Sequence, residues 1–97
     1  MSDYALSPAA RADLRRIWDY TAERWSEDQA EQYLHALRHT IERAAANPRI
    51  GRPLDDIRSG YLKLTAGSHV VFYRITGAGI VHVIRVLHQR MDPGRHL

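Results

Sequence analysis

The stretch GYLKLTAGSHVVFYRITGAGIVHVIRVLH, residues 60–88, decides the fold class. Three runs rich in β-branched and aromatic residues, 61–65, 69–75 and 80–88, are separated by Ala66-Gly67-Ser68 and by Thr76-Gly77-Ala78-Gly79. Runs of this kind, bounded by glycine-containing turns, pair with their sequence neighbours, so the three are expected to form an antiparallel meander. Gly60, Gly67, Gly77 and Gly79 fall where such turns call for positive φ. Side chains alternate across a strand, which sorts the runs into two faces. One collects Leu62, Leu64, Val70, Phe72, Ile84 and Val86 and is expected to lie beneath a helical layer. The other collects Lys63, His69, Val71, Tyr73, Val83, Arg85 and Leu87, an apolar floor with polar tips, and is expected to be open for a partner to cover.

The helical layer comes from upstream. Residues 4–6 read as a short first strand, and Ser7-Pro8 supplies an N-cap followed by proline at the first helical position. Leu14, Ile17, Trp18, Thr21, Ala22 and Trp25 then recur at three- and four-residue steps, with Arg11, Arg15, Asp19 and Glu23 on the opposite face. Ser26-Glu27-Asp28-Gln29 matches a capping box and starts a second helix. Its stripe is Ala30, Tyr33, Leu34, Leu37, Ile41, Ala44 and Ala45, and Asn47-Pro48 stops it. So short a connection folds the two helices into an antiparallel hairpin. Residues 47–60, NPRIGRPLDDIRSG, have no period and read as a loop with room for one helical turn. Together these features predict an α+β fold: a short N-terminal strand, a helical hairpin and a three-stranded antiparallel meander packed in two layers as one domain, 1–97.

Ninety-seven residues with 44% apolar content suit a single core. With no cysteine, neither a disulfide nor a thiolate metal site can stabilise it. The first residues, MSDYALSPAARADL, contain no apolar run of signal-peptide length, and the expected location is the cytoplasm, with no membrane association. The net charge of +3 conceals an asymmetry: residues 1–48 carry six basic against eight acidic side chains, and residues 49–97 carry eight against three. Thirteen of the fourteen basic residues are arginine, whose planar fork suits carboxylate or phosphate, so an acidic protein and a nucleic acid are both open as partners.

His69, Tyr73 and Arg85 on one sheet face, with Lys63 nearby, contain the parts needed to cleave RNA through its own 2′-hydroxyl: a base, an acid and fixed positive charge. Spacing alone does not bring any two of them together, and a lone strand histidine or tyrosine is more often structural. His35 and His39 are four residues apart but lack an HExxH pattern and read as a solvated helix face. No phosphate-binding glycine loop or nucleophile turn is present, and neither metal nor cofactor is expected. Trp18 and Trp25 read as core, and Arg74 as a partner for Asp55, Asp56 or Asp92.

The order of elements and the stretches YALSPAARADLRRIWDYTAERW, QAEQY, NPRIGRP, SGYLKL, GSHVVFYRI and IRVLHQRMDPGRHL resemble the ParE toxins of the ParE/RelE superfamily over nearly the full length. The closing VLHQRMDPGRHL, following GSHVVFYR, is the most specific part. The resemblance implies the toxin of a bacterial type II toxin–antitoxin pair of the kind that stabilises plasmids. Such a toxin is held in a hetero-oligomer by a ParD-like antitoxin, and arrests growth by trapping DNA gyrase on cleaved DNA without being a nuclease. The alternative, from the RelE branch, is a ribosome-dependent mRNA endoribonuclease using the exposed sheet face. Many relatives carry arginine after the Gly-Tyr of this strand, whereas Gly60-Tyr61 is followed by Leu62 and the chain has one lysine, Lys63. That weakens the ribonuclease reading. Matched to the terminal motif, His88, Arg90, Met91, Asp92, Arg95 and His96 are the residues the resemblance puts at the gyrase contact. A plainer role for the same segment is a strap packed on the sheet through Leu87, Met91 and Leu97.

Overall fold

The computed structural model describes residues 3–97; Met1 and Ser2, counted in the expected 1–97 domain, lie outside the described residues. The elements follow as β1 (Tyr4–Leu6), α1 (Pro8–Arg24), α2 (Glu27–Ala46), β2 (Arg52–Pro53), β3 (Tyr61–Ala66), β4 (His69–Ile75) and β5 (Val81–His88). Single 3₁₀ turns lie at Pro48–Ile50 and Pro93–Arg95.

Both helices start where their caps direct. Ser7 Oγ accepts the Ala10 N–H at 2.9 Å and donates to the Ile84 carbonyl at 2.7 Å, so one side chain both caps α1 and ties its start to β5. Ser26 Oγ accepts the Gln29 N–H at 3.0 Å, with Glu27 and Asp28 in the positively polarised first turn of α2.

The sheet has five strands in the order β1-β5-β4-β3-β2. The expected meander β3-β4-β5 forms its centre. β1 runs parallel to residues 81–83 on one side, and on the other Arg52 and Pro53 pair with Lys63 and Leu62. β2 thus falls within the segment expected to be a loop; two residues containing a proline carry no alternation that marks a strand. The single helical turn allowed there is the one at Pro48–Ile50. Among the described residues no helix is long and apolar enough to cross a membrane.

The helices cover one sheet face, where Leu62, Ala66, Val71, Tyr73, Val81, Val83 and Val86 meet Ala10, Ile17, Leu37, Ile41 and Ala44, with Leu64 packed alongside. This corrects the expected faces. Leu62 pairs with Tyr73 and Leu64 with Val71, so Val71, Tyr73 and Val83 lie under the helices. Val70 and Phe72 face the other way, with Leu54, Leu87, Tyr61 and Leu97. The expectation erred by one residue in the phase of β4, and a shift of one moves every side chain to the opposite face. β5 adds an irregularity: Phe72 pairs with Arg85 but Tyr73 with Val83, leaving Ile84 as a bulge that resets the alternation. The second face is not simply open, because Leu54 and Leu97 pack on part of it.

Two smaller corrections concern the ends of elements. Trp25, expected in the core, is 68% exposed; it is the C-cap residue of α1, and its non-helical backbone takes it off the buried stripe. Ile80, expected to open the last strand, precedes β5 and is exposed.

Candidate functional site

β1 ends after three residues, so from Ile84 onward β5 has an unpaired edge. α1 crosses that edge, and Asp13 replaces the missing strand. Its Oδ2 accepts the Val86 N–H at 2.9 Å and the Arg85 Nε–H at 2.7 Å, while Oδ1 accepts from Arg85 Nη2 at 2.9 Å and from Arg16 Nη2 at 2.7 Å. Only 3% of the Asp13 side chain is exposed, against 17% for Arg85. Burial alone would raise the Asp13 pKa. The hydrogen bonds from Arg85 and Val86, the Arg85 charge and the bond from Arg16 outweigh it and hold the carboxyl below its ordinary range. The hydrogen bond to Asp13 in turn raises Arg85, against the effect of burial. Asp13 was not singled out from sequence, although a signal existed: it lies on the same stripe as Ala10 and Ile17, where a carboxylate needs a buried partner.

The four residues expected on one sheet face are not brought together. Tyr73 is fully buried beneath the helices, where its hydroxyl donates to the Pro48 carbonyl and accepts the Gly51 N–H, each at 2.9 Å. Burial raises its pKa, opposed by the Gly51 bond and the charge of Arg49. Lys63 pairs with Phe72 and lies on the opposite side of the sheet from Tyr73. Arg85 is occupied by Asp13 and also donates to the His96 carbonyl at 3.4 Å. His69 is on the helical side, with Nδ1 2.6 Å from the Tyr33 hydroxyl. Arg74 is exposed and, among the described residues, pairs with none of the three carboxylates expected for it.

After β5 the chain forms a strap. The Gln89 N–H donates to the Ser68 carbonyl and the Met91 N–H to the His88 carbonyl, both at 2.9 Å. Asp92 caps the following turn by accepting the Gly94 N–H at 3.0 Å and lies 3.9 Å from Arg95. Leu97 packs against the Leu54, Phe72 and Leu87 cluster. Arg90 and Arg95 are exposed, and His88 and His96 are half-buried. Met91, expected as a packing anchor, is exposed instead. It borders a groove of about 410 Å³ shared with Asp13, Ile17, Tyr20, His69 and His88.

The helical hairpin on a mixed sheet is shared with chains of two solved toxin–antitoxin pairs. A chain of the chromosomal ParDE system from P. aeruginosa superposes with a TM-score of 0.78, covering 91% of this chain and 96% of that one at 17% identity. A chain of the Mycobacterium tuberculosis RelBE2 complex gives 0.68, covering 91% and 98% at 22% identity. At these identities the likeness concerns the fold.

Sequence comparison is more specific. The family described as "ParE toxin of type II toxin-antitoxin system, parDE" matches residues 4–93. Toxin ParE1 of Mycobacterium tuberculosis is 66% identical over 96 residues, covering 99% of this chain and 98% of the relative. Toxin ParE1 of Caulobacter vibrioides is 47% identical over 98 residues, covering 100% and 99%. The chain belongs to the ParE toxin family of type II toxin–antitoxin systems.

Proposed function

We propose that this toxin arrests growth by inhibiting DNA gyrase without cleaving nucleic acid, and that a ParD-like antitoxin neutralises it in a hetero-oligomer. The observation that carries the non-nucleolytic part is the dispersal of the ribonuclease set. A proton-transfer pair must lie within hydrogen-bond reach of one reacting site. Tyr73 is buried with its hydroxyl engaged at both lone pair and proton, and Arg85 is bound by a buried carboxylate. Membership of the ParE family supports gyrase as target and a ParD-like partner, and the related solved structures are of ParDE and RelBE pairs.

The contact surface we assign to the target is the outer side of the strap. Arg90 and Arg95 project from it, while the backbone and Leu97 hold it to the sheet. Arginine at an exposed rim can engage carboxylate or phosphate with little cost to the fold. Gyrase supercoiling and cleavage assays test this with folded protein. Wild type should inhibit supercoiling and leave broken DNA bound to the enzyme. Arg90→Ala with Arg95→Ala should keep the fold and antitoxin binding but weaken inhibition about tenfold or more, corresponding to loss of one charge-assisted hydrogen bond worth ~1.5–3 kcal/mol. No inhibition by folded wild type would overturn the gyrase assignment, and full potency in the double variant would overturn only the role of the strap. Messages cleaved soon after induction, detected by primer extension, would restore the ribonuclease reading.

A further inference from the structure

His69 and His88 stand opposite each other on β4 and β5, with ring centroids 5.3 Å apart and planes at 86°. Each Nδ1 is engaged. The Tyr33 hydroxyl accepts the Ser68 N–H at 3.0 Å and lies 2.6 Å from His69 Nδ1. His88 Nδ1 accepts the Arg90 N–H at 3.2 Å. A ring nitrogen that accepts carries no proton, so the bond from the Arg90 N–H assigns His88 a neutral imidazole protonated at Nε2.

The two rings differ in what a second proton would do. On His69 it would turn Nδ1 into a donor toward an oxygen whose own O–H can rotate away. On His88 it would set a donor against a backbone N–H, which has no alternative role. Around the pair, α1 contributes Asp13, Arg16 and Tyr20, α2 contributes Tyr33, β5 contributes Arg85, and the strap contributes Arg90. The carboxylate of this set, Asp13, is already shared among Arg85, Arg16 and the Val86 N–H. Burial pushes the His69 pKa down, a charge on His88 pushes it further, and Asp13 opposes both. Two protons on rings this close repel.

We propose that the His69/His88 pair is a proton-operated catch on the C-terminal strap: neutral, it holds the Arg90 peptide; protonated at His88, it releases the Arg90 N–H. The catch goes beyond gyrase inhibition and stands whatever the target of the toxin is. Its effect is to reposition Arg90 on acidification, while the Gln89 N–H bond to the Ser68 carbonyl stays in place.

The test is an NMR titration of the ¹⁵N-labelled full chain from pH 8 to pH 5. The Arg90 amide should shift with the same midpoint as the His88 ring and take on the temperature coefficient of an unbonded amide, while the Gln89 amide keeps that of a bonded one. In His88→Asn the side-chain oxygen can accept in place of Nδ1 but takes up no proton in this range, so the Arg90 response should vanish. An Arg90 amide insensitive to pH, one with a midpoint different from His88, or a response that survives in His88→Asn would overturn the catch. Should that variant fail to fold, the midpoints in wild type decide the matter alone.

Discussion

Asp13 shows how one side chain can set both an edge and a charge. A helix residue takes the place of a sixth strand because its two carboxylate oxygens accept the outward-facing Val86 N–H and both ends of the Arg85 fork. Removing one member of such a pair leaves the other charged, largely buried and unpaired, so Asp13→Ala should cost roughly 3–5 kcal/mol of stability in urea unfolding. The pH dependence follows from the lowered pKa. The contribution of Asp13 is complete above its ordinary value of 3.8 and is lost as pH falls through the lower folded value. Asp13→Asn should therefore be less stable than wild type at neutral pH, and the gap should narrow in acid. A gap that stayed constant down to pH 2 would contradict this account.

At the scale of elements, Tyr73 fastens the segment between α2 and β3 to the middle of the sheet. Its hydroxyl bridges Pro48, which opens the 3₁₀ turn, and Gly51, which follows it, and the chain passes so close that a Cβ on Gly51 would clash with the hydroxyl oxygen and lie 2.9 Å from the Lys63 carbonyl oxygen. Only glycine fits there. Tyr73→Phe leaves the buried Gly51 N–H without its acceptor, and the expected loss is about 1–3 kcal/mol. The proposed inhibition of gyrase, per folded molecule, should be unchanged. Loss of inhibition without loss of stability would instead make Tyr73 a functional group.

Over the whole molecule, two clusters are divided by the sheet. The larger lies beneath the helices; the smaller, Leu54, Phe72 and Leu87, is sealed by Leu97 at the far end of the strap. The strap is thus fixed at both ends, by the Gln89 N–H bond at one and by apolar contact at the other, while Arg90 and Arg95 remain exposed between them. Leu97→Ala should lower stability by roughly 1–2 kcal/mol, the share expected for a half-buried leucine, with the denaturant m-value unchanged. A much larger loss, or a changed m-value, would mean that the strap is part of the main folding unit.

The element order was legible from the chain because each signal is local. Ser7-Pro8 and Ser26 cap helices through their own first turns, and glycine turns join strands adjacent in sequence. The terminal motif and the helical stretches likewise carried the family, since they are read residue by residue. What the chain could not express was phase. Whether Val71 or Phe72 faces the helices depends on the pairing of β3 with β4 and on the bulge at Ile84, and both are set by contacts between strands. For that reason Lys63, His69, Tyr73 and Arg85, one constellation on paper, became four separate environments in the fold. Asp13 and Arg85 are 72 residues apart, and Tyr33 and His69 are 36 apart. Local periodicity fixes which face of its own element a side chain occupies; its partner is decided only when the layers pack.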